Sequence, residues 1–176
     1  MNLIKGYDPH TLRELVDQRE CQLRLDEIEN QRSLPVLLER VWLLKVLDRL
    51  DEALQVAEET VRQARMAGTR KDLLRARVLH GTVLQNRGAH AAAAQEFATC
   101  ANEAEGQGWL GIAAFAYQHH GKNAYEAGEF DEARDSFKQS LFLRRSAGAD
   151  DTDLEKALRA IEAAERRSAA EPSVLV

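Results

Sequence analysis

Proline is scarce in this chain: Pro9, Pro35 and Pro172 are the three among 176 residues. β-Branched residues are sparse as well, while Ala, Leu, Glu and Arg dominate. Intrinsic propensity therefore favours helix nearly throughout, and no convincing strand stands out. Cysteine is equally thin. Cys21 and Cys100 lie far apart in sequence, which excludes a disulfide framework or a zinc-ligand spacing and leaves two reduced, partly buried thiols. Long apolar runs are missing. The N-terminus, Met1-Asn2-Leu3-Ile4-Lys5-Gly6, has no signal-peptide core, and nothing approaches the roughly 18 apolar residues of a membrane span. The expectation is a cytoplasmic chain without a membrane partner.

Positive charge is also short. The formal net charge of −5 disfavours direct nucleic-acid binding. The small clusters Arg75/Arg77, Arg144-Arg145 and Arg166-Arg167 read as solvated helix ends, where cations complement the helix dipole. Catalytic signatures are lacking: there is no Gly-rich phosphate loop after a strand and no Gly-x-Ser-x-Gly elbow. Asp150-Asp151-Thr152-Asp153 lacks the twelve-residue calcium pattern and reads as a helix N-terminal cap. No enzyme and no cofactor are expected.

What is present is a repeat. Ala53, Ala93 and Ala133 recur every 40 residues, as do Gly68, Gly108 and Gly148, and Val41, Gly81 and Gly121. Asp51-Glu52-Ala53 returns as Asp131-Glu132-Ala133. Such a period signals stacked supersecondary units, none of which can bury its apolar face alone. The content of 44% hydrophobic and 30% charged residues suits a globular domain with a core.

Residues 1–33 read as a flanking helix opened by Asp8-Pro9 and running to about Asn30, either covering the first repeat or forming a dimer contact. Ser33 then caps a helix over 34–48, whose partner runs over 51–66 and ends at Gly68, a left-handed C-cap. The second hairpin covers about 71–87 and 90–105, the third about 110–127 and 131–145. Gly88 and Gly128 take the tight turns, and Asp48 holds that place in the first hairpin. A last helix over 152–168, with Leu154, Ala157, Leu158 and Ile161 as its apolar stripe, would cap the stack. Residues 169–176 read as a disordered tail, with Ser173-Val174-Leu175-Val176 as an alternative recognition tag. Small residues at 53, 81, 93, 121 and 133 permit close helix crossing, and Leu50, Phe97, Phe130 and Phe137 fill the gaps.

These residues resemble the tetratricopeptide repeat. The fullest copy is Tyr117, Gly121, Tyr125, Gly128, Phe130, Ala133 and Phe137; the second carries Gly81, Gly88, Ala93 and Phe97; the first carries Trp42, Leu50, Ala53 and Ala57 without the glycines. The period of 40 exceeds the family's usual 34 and is similar to a long-repeat subset in bacterial regulators and cargo-binding proteins. The resemblance implies an all-α, right-handed α-solenoid of three helical hairpins with an N-terminal flanking helix and a C-terminal capping helix. The repeats would span about 34–73, 74–113 and 114–150, with the cap at 151–168. Arg40, His80 and His120 depart from the family by standing where Leu is usual.

By the same resemblance, the first helix of each hairpin lines a concave binding surface. That lining is Leu38, Trp42 and Lys45; Arg75, Val78, Thr82 and Gln85; and Phe115, Gln118, Lys122 and Tyr125. Only Lys122 suits the carboxylate clamp found in some relatives. The mixed apolar, aromatic and cationic lining would suit a helix or extended segment with apolar anchors and one or two acids. Trp42 and Phe115 also read as partly core. His119 and His120 point about 100° apart and cannot easily share an ion. His80 and His120 lack a further donor, so interhelical packing is the better reading and no metal is expected. The expected function is a non-catalytic adaptor or scaffold for a protein or peptide. A sensor of a small peptide or metabolite, and a structural homodimer built on the N-terminal helix, stand as alternatives.

Overall fold

The computed structural model describes residues 3–170. Helix dominates, with one small sheet at the N-terminus. Residues 1–33, expected as one flanking helix, contain three elements instead. Strands β1 (Ile4–Tyr7) and β2 (Glu14–Val16) pair antiparallel, with Ile4 opposite Val16, Gly6 opposite Leu15 and Tyr7 opposite Glu14. Helix α1 (Gln18–Glu27) follows.

Local chemistry explains the correction. Pro9 pushes Asp8 away from the helical region, so Asp-Pro opens a turn as readily as a helix. Asp8 donates its N–H to the Arg13 carbonyl at 2.8 Å and accepts from Leu12 N–H at 2.9 Å, while Leu12 sits at a left-handed φ of 58° that a helix would not allow. Burial alternates along β1, the signature of a strand with one covered face. The cap of α1 is Asp17, whose carboxylate accepts from Glu20 N–H at 3.1 Å.

Seven helices complete the described chain: α2 (Leu34–Val46), α3 (Leu50–Ala67), α4 (Arg70–Asn86), α5 (His90–Gly106), α6 (Leu110–Ala127), α7 (Phe130–Ser146) and α8 (Asp151–Ala170). They form two compact units. One holds residues 3–8 and 12–96, the other 97–170 together with 9–11, the boundary falling within α5.

In the first unit α2 packs on α1, α3 and α4, and α3 on α4. Its core gathers Cys21, Leu25, Ile28, Val41, Leu43, Leu44, Ala53, Ala57 and Val83, with Leu3 and Val16 from the hairpin leaning on it. Arg24 grips Glu39 through Nε and Nη2 at 2.6 and 2.9 Å and so ties α1 to α2. In the second unit α7 packs on α6 and α8. Gly121 is the notch between α6 and α7: a Cβ there would stand 2.6 Å from ring carbons of Phe137 and 3.1 Å from the Ala133 carbonyl.

The turns after the first helices repeat as expected. Asp48, Gly88 and Gly128 all hold left-handed φ, at 59°, 80° and 84°. Gly68 departs from expectation. Its φ and ψ of −92° and 174° are extended, and glycine is needed there for space, because a Cβ would meet the Ala64 carbonyl oxygen at 2.8 Å. In α8 the buried stripe is Ala157, Ala160, Ile161, Ala163 and Ala164, whereas Leu158, expected inside, is exposed. Asp150 caps this helix by accepting from Asp153 N–H at 2.9 Å. Residues 169 and 170, expected in the tail, are helical; the remainder of that expectation, with the Ser173–Val176 tag, lies outside the described residues.

Candidate functional site

In the first unit, Leu38, Trp42 and Lys45 are spaced four and three residues apart and so share one face of α2. Leu38 is half-buried against Ala64, Leu73 and Ala76. Trp42 is half-buried, leaning on the core while its indole Nε1–H donates to Glu14 Oε2 at 3.3 Å. Lys45 Nζ donates to the same oxygen, also at 3.3 Å. The ion pair is secluded, with the lysine side chain 7% and the glutamate side chain 16% exposed. Two of the expected residues thus converge on a carboxylate delivered by β2. Sequence reasoning missed Glu14, because nothing local distinguishes it from any solvated glutamate.

On α4 the four expected residues divide. Arg75 is exposed and lies 3.7 Å from Asp72, one turn earlier. Val78 and Gln85 are buried, and Thr82 is buried with its hydroxyl donating to the Leu79 carbonyl at 2.7 Å. These three are packed inside, as is Lys45, so the accessible part of the face is Leu38, Trp42 and Arg75.

In the second unit, Phe115, Gln118, Lys122 and Tyr125 follow one face of α6 at intervals of three and four. Phe115 is half-buried and meets the edge of His119 at 4.6 Å between ring centroids. His119 is buried and stacks on Phe97 at 5.9 Å. Gln118 Oε1 lies 3.4 Å from the Ser140 hydroxyl, which donates to the Ala114 carbonyl at 2.8 Å. Lys122 is half-buried and partnered. Tyr125, 5% exposed, is core: its ring meets Phe130 edge-on at 5.3 Å, and the Arg167 guanidinium covers Phe130 from 4.9 Å.

His120 is half-buried, with Nδ1 2.9 Å from Ser136 Oγ and Nε2 3.7 Å from Glu132. Serine, histidine and glutamate in this order have the composition of a hydrolytic relay. Ser136 is buried in the middle of α7, where the helix consumes the surrounding amide N–H groups. An oxyanion would meet no preorganised donors there. Burial, and secondarily the charge of Asp17, pushes the Cys21 thiol above its ordinary pKa, the opposite of an activated nucleophile. Tyr117 is raised by burial and then by its hydrogen bond to Glu105, at 2.9 Å. Among the described residues no three His, Cys, Asp or Glu side chains gather closely enough to hold a metal ion, and no helix is long and apolar enough to cross a membrane.

The sequence matches no protein-family model and no curated protein. Among solved structures it is similar to BtubC (BKLC) from P. vanneervenii, with a TM-score of 0.56 over 91% of this chain and 80% of that one, at 15% sequence identity. The likeness is one of fold and agrees with the mostly helical architecture.

Proposed function

We propose that the chain is a non-catalytic binding module built from three tetratricopeptide-type hairpins, α2–α3, α4–α5 and α6–α7, and that it holds a protein or peptide on the faces of the first helices. The repeat reading is supported by the left-handed residues 48, 88 and 128 and by Ala53, Ala93 and Ala133, all fully buried at the same interval. One contrast carries the binding reading. Trp42 and Phe115 on the first helices are half-buried, unlike the fully buried Phe97 and Phe137 on the second helices, where Phe142 is the one exposed phenylalanine among the described residues. Aromatic rings at a partly wet surface are the residues that most often anchor a partner.

Affinity capture from the native cell extract tests this. Wild type is compared with Phe115→Ala/Arg75→Ala, which avoids the core positions Tyr125 and Val78. A protein retained by wild type and lost from a variant of unchanged helicity supports the module. Equal retention by a folded variant sinks it. A second reading, self-association through the N-terminal segment, is favoured by Tyr7, Leu15 and Leu23, which are 40%, 49% and 48% exposed. Sedimentation velocity of Leu15→Glu/Leu23→Glu beside wild type decides that question.

A further inference from the structure

We propose that the outer side of the α7–α8 pair is a self-association surface, covered by a second copy of this chain. The inference is independent of the binding-module reading, since none of the residues expected to line that site lies on α7 or α8. Two ion pairs fix how these helices lie. Lys138 meets Glu165 at 3.1 Å and Arg144 meets Asp153 at 3.6 Å, so α7 and α8 run antiparallel with residue 142 level with residue 158. The helical period then sorts the side chains. Lys138, Phe142 and Arg145 follow one side of α7, all exposed. Leu158 and Glu165 follow one side of α8, bordered by Glu155 and Glu162, and these four are exposed as well. The Lys138–Glu165 pair puts both stripes on the same side of the seam.

Phe142 and Leu158, 62% and 40% exposed, thus stand at one level in the middle of one face. Neither is needed inside the fold. α7 already buries Phe130, Phe137, Leu141 and Leu143, and α8 buries Ile161 and four alanines. An exposed apolar centre with a charged rim is the anatomy of an interface. The rim also identifies what covers it. The stripe of α7 carries a cation on either side of Phe142, and that of α8 an acid on either side of Leu158.

A two-fold axis lying in the interface and parallel to the helices lays α7 of each copy on α8 of the other, level with level. Phe142 then meets Leu158 of the second copy, Arg145 meets its Glu155 and Lys138 meets its Glu165, and each contact occurs twice. A partner of one charge sign would satisfy one stripe and be repelled by the other. Glu155 and Glu162 also have Arg159 and Arg166 of their own helix, at 3.7 and 3.9 Å, but such exposed pairs are weak competitors. The twenty residues of α8 make the face about 30 Å long, and two helices side by side make it about 20 Å wide. About 600 Å² on each copy is the low end of specific interfaces, so the association is a concentration-dependent, micromolar one.

Sedimentation velocity of the full chain over a concentration series tests this, with circular dichroism to confirm that each variant keeps its helicity. Wild type is expected to dimerise reversibly. Phe142→Ser should raise the dissociation constant about a hundredfold, because a two-fold interface loses the contact twice. Arg145→Glu and Glu155→Arg should each be monomeric alone, since each sets like charges against one another at both symmetric places. Mixed in equal amounts they should dimerise again, because one chain then brings acids to both places and the other brings cations. A contact within one chain cannot produce that rescue. Wild type that stays monomeric throughout overturns the proposal, as does a mixture of the two charge variants that stays monomeric. A dimer that survives Phe142→Ser but is lost in Leu15→Glu/Leu23→Glu moves self-association to the N-terminal segment and overturns this face. Monomeric wild type that loses a captured protein on Phe142→Ser gives the face to a different partner and overturns the second copy.

Discussion

The first and third hairpins solve the same packing problem with the bulk on opposite sides. At the first crossing Val41 of α2 is fully buried in one cluster with Ala57 of α3. At the third, the position equivalent to Val41 is Gly121, and the position equivalent to Ala57 is Phe137, whose ring fills the notch that glycine leaves. What repeats is the filled volume at the seam, not the residue that fills it. Interiors are close-packed, so a small residue on one helix requires a large one on the other. This is why the first hairpin holds Val41 where the third holds Gly121 without losing its core.

The comparison breaks most sharply at residue 121. Phe137→Ala should destabilise by about 3–5 kcal/mol through the cavity it leaves. Gly121→Val should cost about 3 kcal/mol by overpacking, because its Cβ would begin 2.6 Å from two carbons of the Phe137 ring. The pair together recreates the first crossing and should cost at least about 1 kcal/mol less than the sum. Urea unfolding of the four proteins closes the cycle; strict additivity would show that the two residues do not share one volume.

Ala53 and Ala133, both fully buried, mark the part of the crossing that does not vary. Leu at either position should cost about 2 kcal/mol in the same unfolding experiment. A tolerated Ala53→Leu beside a damaging Ala133→Leu would show that the first crossing is the looser one.

The turns differ more gently. Asp48 and Gly128 share a left-handed φ, at 59° and 84°. An L side chain pays for that conformation, although Asp pays less than most. Gly128→Ala should therefore lose about 1 kcal/mol, and Asp48→Gly should raise stability by less than that. Thermal melting reads both; a loss on Asp48→Gly would mean that its side chain has a second task.

The parts of this fold that were legible in the sequence are those in which one residue type answers one backbone demand. Gly88, Gly128 and Asp48 announced their turns, and the alanines and Phe137 announced the crossing. The hairpin was illegible because Asp8-Pro9 fits a helix start and a loop equally, and docking of Leu3 and Val16 on the helices decides between them. Glu14 was illegible for a related reason: its value lies in Trp42 and Lys45, some 30 residues away. Lys45, Val78, Gln85 and Tyr125 sit one helical step from the accessible face, where pattern alone does not separate lining from core. The stripe of α8 was misjudged at Leu158 because alanines bury closely against α7, leaving the larger residue outside.

The smallest predicted effect separates two helix starts that look alike in sequence. Thr69 caps α4 by accepting from Asp72 N–H at 3.2 Å, and Asp72 returns the bond by accepting from Thr69 N–H at 3.0 Å. Ser33 precedes α2 without any side-chain cap bond. Thr69→Ala should thus cost about 1 kcal/mol at neutral pH, and Ser33→Ala should leave the melting temperature unchanged. Acid sharpens the contrast. The Thr69 hydroxyl, and then its N–H, hold the Asp72 carboxyl below its ordinary value of 3.8. A lowered folded-state pKa means that this contribution is fully present above 3.8 and is lost as pH falls through the lower folded value. The gap between wild type and Thr69→Ala should therefore narrow in acid, while Ser33→Ala tracks wild type at every pH. A gap that stays constant from neutral pH into acid would show that the capping box contributes through the threonine alone and not through the carboxylate facing it.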